Sequence, residues 1–266
     1  MFTLGDKPIR NVLVQCDHGS LIVNRYDYRH DGVGVGGFIL EHGNNNTVEA
    51  NTACTVLQDI DKPIILDIGA NIGTFATWVA RWADPRQGKV YCFEPQRPVF
   101  QILCGNMALN NIHNVYAYEM ALGSEEKFID LPEVNYNTLG SFGAFSLADT
   151  DLSDTYTNIP NTKQRIKMTT VDNFVNDYQL EKVDYMKIDA EGLDIDVILG
   201  AMNTIQKYKP DLYVEYLNLG PSKKEDTSDQ GRTILSNLLT GLGYKFTVIG
   251  HDIYASVRDV FKEITE

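Results

Sequence analysis

The chain has 266 residues, 43% of them hydrophobic, which suits one α/β domain of ordinary size with a modest extension. Its 36 aspartates and glutamates outnumber its 23 lysines and arginines, so the formal net charge is −13. A chain of that charge repels phosphate backbones, which argues against DNA or RNA as the main substrate and favours a small molecule, a sugar or a peptide.

The four cysteines form no CxxC pair, and no histidine cluster accompanies them to complete a zinc site. No charged-then-apolar leader opens the chain, and no apolar run approaches the length of a membrane span. We therefore expect a soluble, cytoplasmic protein that does not enter a membrane. The sequence leaves the oligomeric state open.

Residues 1–62 are expected to form an N-terminal extension that packs on the core. Two β-like pieces precede a glycine-rich turn at 31–37. Residues 38–60 are more helical, and Thr47 is suited to cap a helix whose apolar residues share one face. The β-like pieces are 12–14 and 21–23.

From residue 63 to residue 266, strands alternate with helices. The strands are short apolar runs, as expected where both faces of a sheet are covered. The predicted strands are 64–68, 89–93, 115–118, 128–131, 166–168, 183–188, 212–214 and 246–249. The predicted helices are 75–82, 98–109, 171–178, 194–207 and 233–241, and the long polar loops are 132–162 and 218–232. This order predicts a Rossmann-like α/β fold with a mainly parallel, doubly wound sheet, whose ligands bind beyond the carboxyl ends of the strands.

The turn after the strand at 64–68 carries the strongest ligand signal, in LDIGANIGTF. Its glycines permit close backbone approach, and amides at the start of the next helix can meet a carboxylate or phosphate. Asp67 can accept a hydrogen bond from a ligand ammonium. A tight turn without a ligand is the alternative. A dinucleotide site is disfavoured, because Asn71 occupies the middle glycine position of G-x-G-x-x-G.

Glu94 ends the next strand and precedes Pro95, in VYCFEP. A carboxylate at this place can accept hydrogen bonds from both ribose hydroxyls of a nucleoside. Acids also occur here in NAD sites, so Glu94 indicates a nucleoside without identifying it. The alternative is a solvent-facing acid before a turn-forming proline.

Several blocks of sequence together resemble the FkbM-type methyltransferase family. They are LDIGANIGTF, FEPQRPVF, NMALNNIHNV, ALG, TTVDNFV, VDYMKIDAEGLDIDVILGA and KPDLYVEY, which cover about residues 63–216 in the family's order. The resemblance implies a class I methyltransferase fold, S-adenosylmethionine as the cofactor, and methyl transfer that is commonly to oxygen. Residues 1–37 and 217–266 show no reliable match, so the resemblance does not supply the methyl acceptor.

The resemblance also implies a cofactor site made of the two turns, the segment beside the adenine and one later carboxylate. Its predicted residues are Asp67, Gly69, Ala70, Asn71, Gly73, Thr74, Phe75, Glu94, Pro95, Glu119, Met120, Ala121 and Asp189. Asn106 and Asn110 match asparagines of the family's second helix, where we expect a polar helix face and a C-cap.

The candidates for orienting the acceptor, or for taking its proton, follow predicted strands. Two carboxylates at one strand end, in MKIDAEG, are costly unless they bind something. Asp189 is the first choice and Glu191 the second, with Lys187 as a charge partner; Glu215 and His251 are the others. As alternatives, Asp189 caps the next helix, Glu191 faces solvent, and the lone histidine is structural.

Methyl transfer to oxygen gains much from proximity and orientation, and a base helps if it removes a hydroxyl proton. Asp189, Glu191 and Glu215 are also hard oxygen ligands that would suit Mg²⁺, but their spacing is not a ligand signature, so we predict no metal site. The loop 132–162, including residues 140–145, is expected to close over the acceptor. Tyr26, Tyr28 and the glycine run are expected to form another wall.

The sequence thus predicts an S-adenosylmethionine-dependent O-methyltransferase that acts on a small molecule or a glycan. An NAD-dependent oxidoreductase is one alternative. A non-catalytic nucleoside-binding protein of the same fold is another, because the predicted cofactor residues do not bear on the acceptor chemistry.

Overall fold

The computed structural model is built around one seven-stranded sheet with helices on both faces. The structure describes residues 3–4, 7–28, 34–45, 47–143, 158–215 and 225–261. The strands are β1 (Thr3–Leu4), β2 (Lys7–Pro8), β3 (Asn11–Cys16), β4 (Gly19–Asn24), β5 (Ile64–Ile68), β6 (Lys89–Phe93), β7 (Val115–Tyr118), β8 (Ala121–Leu122), β9 (Lys127–Val134), β10 (Asn158–Thr169), β11 (Tyr185–Ile188), β12 (Asp211–Glu215), β13 (Lys245–Ile249) and β14 (Asp252–Ser256). The helices are α1 (Val35–His42), α2 (Thr47–Val56), α3 (Thr74–Ala83), α4 (Arg97–Leu109), α5 (Val171–Asp177), α6 (Asp194–Leu199), α7 (Met202–Tyr208) and α8 (Glu225–Gly241).

The strand order in the main sheet is β13-β14-β12-β11-β5-β6-β7. Neighbours from β12 to β7 are parallel, and β14 is antiparallel to both of its neighbours. The predicted mainly parallel, doubly wound sheet is therefore confirmed. The chain order reverses between β5 and β11, so the carboxyl ends of these two strands flank the crevice where such sheets bind ligands.

The side chains of β5 and β11 alternate between two hydrophobic layers, as a strand's pleat requires. Leu66 and Met186 pack on the side of α5 to α8, whereas Ile65 and Tyr185 pack on the side of α2 and α3. Asp67 pairs in register with Lys187, and the alternation places both side chains toward α2 and α3. Two charged groups thus lie inside an otherwise apolar layer.

Several predicted boundaries were wrong. The helical stretch expected at 38–60 is two helices, separated by Gly43 in the left-handed conformation, and Thr47 is the first residue of α2 rather than its cap. The helix expected at 194–207 is also two, because α6 ends at Leu199 and α7 begins at Met202. Gly200 lies between them, where a β-carbon would collide with the carbonyl oxygen of Gly123.

The predicted polar loops are shorter than expected. Strands β9 and β10 take both ends of the stretch 132–162 and pair antiparallel, while 144–157 lie outside the described residues. Helix α8 starts at Glu225, so 225–232 of the second loop are helical. Strand β14 was missed altogether. It is a buried central strand that follows directly on a turn, so no separate loop marked it in the sequence.

The N-terminal hairpin of β3 and β4 is joined to the core by two asparagines of α4. Asn106 is fully buried; its Oδ1 accepts the Ile22 amide at 2.6 Å, and its Nδ2 donates to the carbonyl of Ile72 at 2.8 Å. Asn110 is the predicted C-cap of α4, and it also binds both backbone groups of Ser20. Asn106 therefore connects the hairpin to the glycine turn. The expectation of a polar helix face did not include this connection.

Candidate functional site

The glycine turn between β5 and α3 is shaped by contacts with the protein itself. Gly69 has a φ of 79°, and a β-carbon there would overlap the backbone carbonyl of Asp189, so glycine is required for the ends of β5 and β11 to meet. Asn71 follows with a φ of 50°. The notable neighbours of Gly73 are on α4, because a β-carbon at Gly73 would meet the side chains of Leu103 and Met107.

Glu94 lies at the end of β6 and is 4% exposed. Its Oε1 accepts the backbone amide of Gln96 at 2.8 Å, and its Oε2 accepts the amide of Asn71 at 3.0 Å. Burial raises the pKa of this carboxyl from 4.5 to about 7, although the two amides act in the opposite direction. Since a carboxylate oxygen accepts about two hydrogen bonds, both oxygens keep capacity for a ligand.

A cavity of about 200 Å³ opens at the carboxyl edge of the sheet, above the switch point. Apolar groups from β6 and the 120–122 segment form one side, and the segment after β11 contributes carboxylates. Its lining comprises Gly34, Val35, Ile68, Gly69, Asn71, Phe93, Glu94, Pro95, Gln96, Met120, Ala121, Leu122, Ser141, Gly143, Asp189, Ala190 and Glu191. The cavity therefore brings the glycine turn, Glu94 and Asp189 together.

The backbone of the segment after β11 is fixed by a buried aspartate, Asp194. The Asp194 carboxylate accepts the amides of Ala190 at 2.8 Å and Gly192 at 3.1 Å. The cap of α6 is Leu193, without a side-chain hydrogen bond, so Asp189 does not cap this helix. Asp189 instead accepts a hydrogen bond from Lys187 at 3.1 Å and faces the cavity. Glu191 also lines it, with a positive φ of 48°.

The opposite wall is built by a second buried carboxylate, Asp27. It accepts the amide of Gly36 at 2.7 Å, in the first turn of α1, and the amide of Phe142 at 2.9 Å. A β-carbon on Gly34 would overlap the Asp27 carboxylate, so this glycine gives the acid its place. Asp27 thus ties two distant segments into one wall, which presents Gly34, Val35, Ser141 and Gly143 to the cavity.

Gln96 braces this wall against the side of the cavity that carries Glu94. Its amide nitrogen donates to the carbonyl of Phe142 at 2.8 Å, and its amide oxygen accepts the Tyr136 hydroxyl at 2.7 Å. Through its backbone it also binds Glu94. Phe142 is buried, so it anchors the wall instead of covering a ligand. Sequence reasoning missed Gln96 and Asp27, because Phe142, which both of them bind, is distant in the chain.

The sequence profile of the FkbM methyltransferase domain matches residues 67–246, which is more than half of the chain. The chain belongs to the FkbM methyltransferase family. Family membership favours a methyltransferase over the NAD-dependent oxidoreductase considered above.

Individual relatives are distant. Methyltransferase 1 of Beauveria bassiana (strain ARSEF 2860) is 25% identical over 148 residues, which cover 53% of this chain and 59% of that protein. Methyltransferase sdnD of Sordaria araneosa is 27% identical over 164 residues, with coverages of 52% and 60%. The chain thus spans less than two thirds of the length of these curated relatives.

The fold has counterparts among solved structures. A Staphylococcus aureus protein assigned as a caffeoyl-CoA O-methyltransferase superposes with a TM-score of 0.50 and 11% identity, over 82% of this chain and 86% of that one. This level of likeness concerns the fold alone. The fold of this FkbM-family chain is that of class I S-adenosylmethionine-dependent methyltransferases.

The predicted site residues divide into two groups in this FkbM-family structure. Those that line the cavity are Gly69, Asn71, Glu94, Pro95, Met120, Ala121, Asp189 and Glu191. Those that do not are Asp67, Ala70, Gly73, Thr74, Phe75, Glu119, Glu215 and His251. The part that either group plays in ligand binding stays a prediction.

The three acids and the histidine outside the lining have defined positions. Asp67 is fully buried beside Lys187, and the Glu119 carboxylate binds Arg97 at 2.8 Å. Glu215 ends β12 opposite Asp252, and His251 is exposed in the turn before β14. Both lie at the carboxyl edge of the sheet as expected, but toward its far end.

The residues of the predicted walls lie partly away from the cavity and partly outside the described residues. Tyr26 and Tyr28 do not line the cavity, and residues 29–33 and 144–145 of the expected walls lie outside the described residues. Within the described part of the chain, no three carboxylates, cysteines or histidines are grouped to hold a metal ion. No helix in that same part is long and apolar enough to span a membrane.

Proposed function

We propose that this protein binds S-adenosylmethionine and transfers its methyl group to a hydroxyl oxygen of a small molecule or a glycan. The observation that carries the proposal is the single cavity shared by the Glu94 carboxylate, the glycine turn and Asp189. Family membership supports methyl transfer in general, and the oxygen acceptor is our own narrower inference.

The cavity residues fit the chemistry of a nucleoside cofactor. Glu94 retains acceptor capacity for both ribose hydroxyls while two backbone amides fix its orientation. Met120, Ala121 and Leu122 offer an apolar surface to a purine. The backbone at Gly69 and Asn71 borders the same space, where the amino-acid end of the ligand would lie. S-adenosylmethionine supplies a methyl carbon that its sulfonium has already activated.

Asp189 is the proposed acceptor-orienting residue, because it lines the cavity and its side chain remains 37% exposed. Its carboxylate would accept a hydrogen bond from the acceptor hydroxyl and take up the released proton. Glu191 lines the same cavity and is the second candidate. Glu215 and His251 stay as more distant candidates. The proposed reaction needs no metal ion, since orientation and a base supply the assistance.

Calorimetric titration with S-adenosylmethionine, S-adenosylhomocysteine and NAD, each in parallel, tests the cofactor assignment. We expect saturable binding of the first two and none of NAD. Glu94→Ala should abolish or strongly weaken this binding, whereas Glu125→Ala, at an exposed surface pair, should leave it unchanged. Binding of NAD alone, or equal loss in both variants, contradicts the proposal.

Transfer of a labelled methyl group to hydroxylated small molecules and to sugars tests the acceptor class. Asp189→Ala should reduce turnover on any acceptor found while it retains measurable S-adenosylmethionine binding. Methylation of amines or carbon acids only would refute the oxygen assignment. Full turnover of Asp189→Ala would remove the proposed role of this residue.

A further inference from the structure

Lys187 is an almost fully buried cation in the centre of the sheet. It lies on β11 between β5 and β12, it is 4% exposed, and its ammonium is 5.9 Å from the centre of the Phe75 ring. An isolated ammonium in such a place is strongly disfavoured, so its charge must be compensated. The proposed methyl transfer assigns no role to this residue.

Glu49, Asp189 and Asp67 all act on this charge, and the two aspartates, which lie within 4 Å of it, face different surroundings. The Lys187 Nζ lies 3.1 Å from Oδ2 of Asp189 and 3.8 Å from Oδ1 of Asp67. The Asp67 side chain is 0% exposed and does not line the cavity, whereas Asp189 opens into it. The ammonium therefore connects an interior carboxylate to a carboxylate at the ligand wall.

The surrounding charges keep Lys187 protonated. Burial by itself would lower the pKa of Lys187, but Asp189, Glu49 and Asp67 outweigh burial and hold it well above its usual value. The pKa of Asp67 is raised to about 7, chiefly by burial; Lys187 acts to lower it, whereas Glu49 and Asp189 act to raise it. The Cys92 thiol, from the neighbouring β6, lies 3.9 Å from the Asp67 carboxylate. Lys187 thus favours the ionised form of Asp67 inside the layer, against the effect of burial.

We propose that Lys187 is a positioning residue, which transmits the charge of buried Asp67 to Asp189 and so fixes the carboxylate that faces the methyl donor and acceptor. Asp67, expected from the sequence to meet the cofactor ammonium directly, acts on the ligand only through Lys187 and Asp189. This inference rests on the proposed function for the identity of its ligand. The contacts of Lys187 with Asp67 and Asp189 do not depend on that function.

A double-mutant cycle on the full-length protein distinguishes an indirect action of Asp67, through Lys187 and Asp189, from direct binding of the ligand by Asp67. The variants are Asp67→Asn, Lys187→Met and the double variant, each titrated with S-adenosylmethionine and S-adenosylhomocysteine. We expect each single change to weaken affinity by roughly tenfold and the double change to weaken it no further. Fold-losses that multiply in the double variant would mean that Asp67 meets the ligand itself, which overturns the proposal.

Lys182→Met is the matched control, because Lys182 forms an ion pair with Asp184, 2.9 Å away, just before β11 begins. Its affinity should equal that of the wild type. If Lys187→Met fails to fold, Asp67→Asn combined with Asp189→Asn reads the same coupling. Under the proposal, Asp67→Asn has no further effect once Asp189 is changed, whereas an undiminished effect refutes it.

Carboxyl ¹³C NMR tests the contact without any ligand. The Asp67 carboxyl should titrate at a higher pH in Lys187→Met than in the wild type, because the lowering influence of Lys187 is gone. An unchanged titration would overturn the proposal even if the cofactor binds. Failure of the wild type to bind S-adenosylmethionine, with a raised Asp67 titration in the variant, would refute the proposed function and leave the Lys187 contact supported.

Discussion

Glu94→Gln should flatten the pH dependence of folding stability in the ligand-free protein. In the native state burial raises the pKa of Glu94 from 4.5 to about 7. The native carboxyl therefore holds its proton over a range in which the unfolded chain has already released it. Its contribution to the free energy of unfolding is complete below about pH 4.5 and is lost as the pH rises to about 7.

The size of this effect follows from the shift. A change from 4.5 to about 7, at 1.36 kcal/mol per pKa unit, amounts to about 3 kcal/mol. Glu94 is 4% exposed, so solvent screening reduces this little. Burial raises the pKa of both Asp67 and Asp252 to about 7 as well, so they act with the same sign, and the wild-type slope exceeds that of one group.

Urea unfolding at several pH values between 5 and 8 measures the slope. In Glu94→Gln, the slope of the unfolding free energy against pH should fall by the contribution of about one titrating group. In Glu125→Gln, where the replaced side chain is 63% exposed, the wild-type slope should be kept. Glutamine also turns an amide nitrogen toward one backbone N–H, so the comparison concerns the slope rather than stability at one pH. A full wild-type slope in Glu94→Gln would refute the reasoning.

The same substitution links stability to the ligand. Only the ionised carboxylate accepts from both ribose hydroxyls, so the wild-type affinity for S-adenosylmethionine should rise between pH 6 and pH 8. Glu94→Gln loses one hydrogen bond to a charged acceptor, worth about 1.5–3 kcal/mol, and should bind about 10- to 100-fold more weakly. An affinity that falls as the pH rises would contradict the assigned role.

Two further predictions concern the wall opposite the glycine turn. Asp27→Ala leaves the amides of Gly36 and Phe142 without their acceptor, so we expect urea unfolding to show about 1–3 kcal/mol less stability. Stopped-flow measurements should also show faster dissociation of S-adenosylhomocysteine. An unchanged dissociation rate would mean that this wall does not contact the ligand. Gly143→Ala would push a β-carbon into Asn71 Nδ2 and should weaken calorimetric affinity by about tenfold, with a loss of stability below about 1 kcal/mol; unchanged affinity would contradict that contact.

The parts of the site that could be predicted from sequence are those encoded by a few adjacent residues at a strand end. Glu94 and Asp189 follow buried strands, and parallel strands bring their carboxyl ends to one edge, so their shared cavity required no knowledge of tertiary contacts. The glycine turn was recognisable for the same reason. Helix and strand types in the core followed equally from local apolar runs.

The rest depends on pairings that sequence patterns do not report. Asp27 binds an amide 115 positions away, and Asn106 binds one 84 positions away, so neither residue carries a local sign of its partner. Asp67 shows a limit of another kind. Its motif suggested a ligand contact, but the register that pairs it with Lys187 buries it inside the layer.

Part of the wall comes from residues that precede the region matched by the family profile. Family membership therefore indicates methyl transfer but does not indicate the acceptor. The matched residues begin at 67, whereas Gly34, Val35 and the acid that positions them come before that point in the chain. The side of the cavity proposed to hold the nucleoside, with Glu94 and the glycine turn, lies within the matched region. An exchange of residues 25–45 with those of another family member should therefore change which acceptor is methylated more than it changes the affinity for S-adenosylhomocysteine. Equal changes in both would mean that the wall serves the cofactor and that the acceptor enters from the side of Glu191.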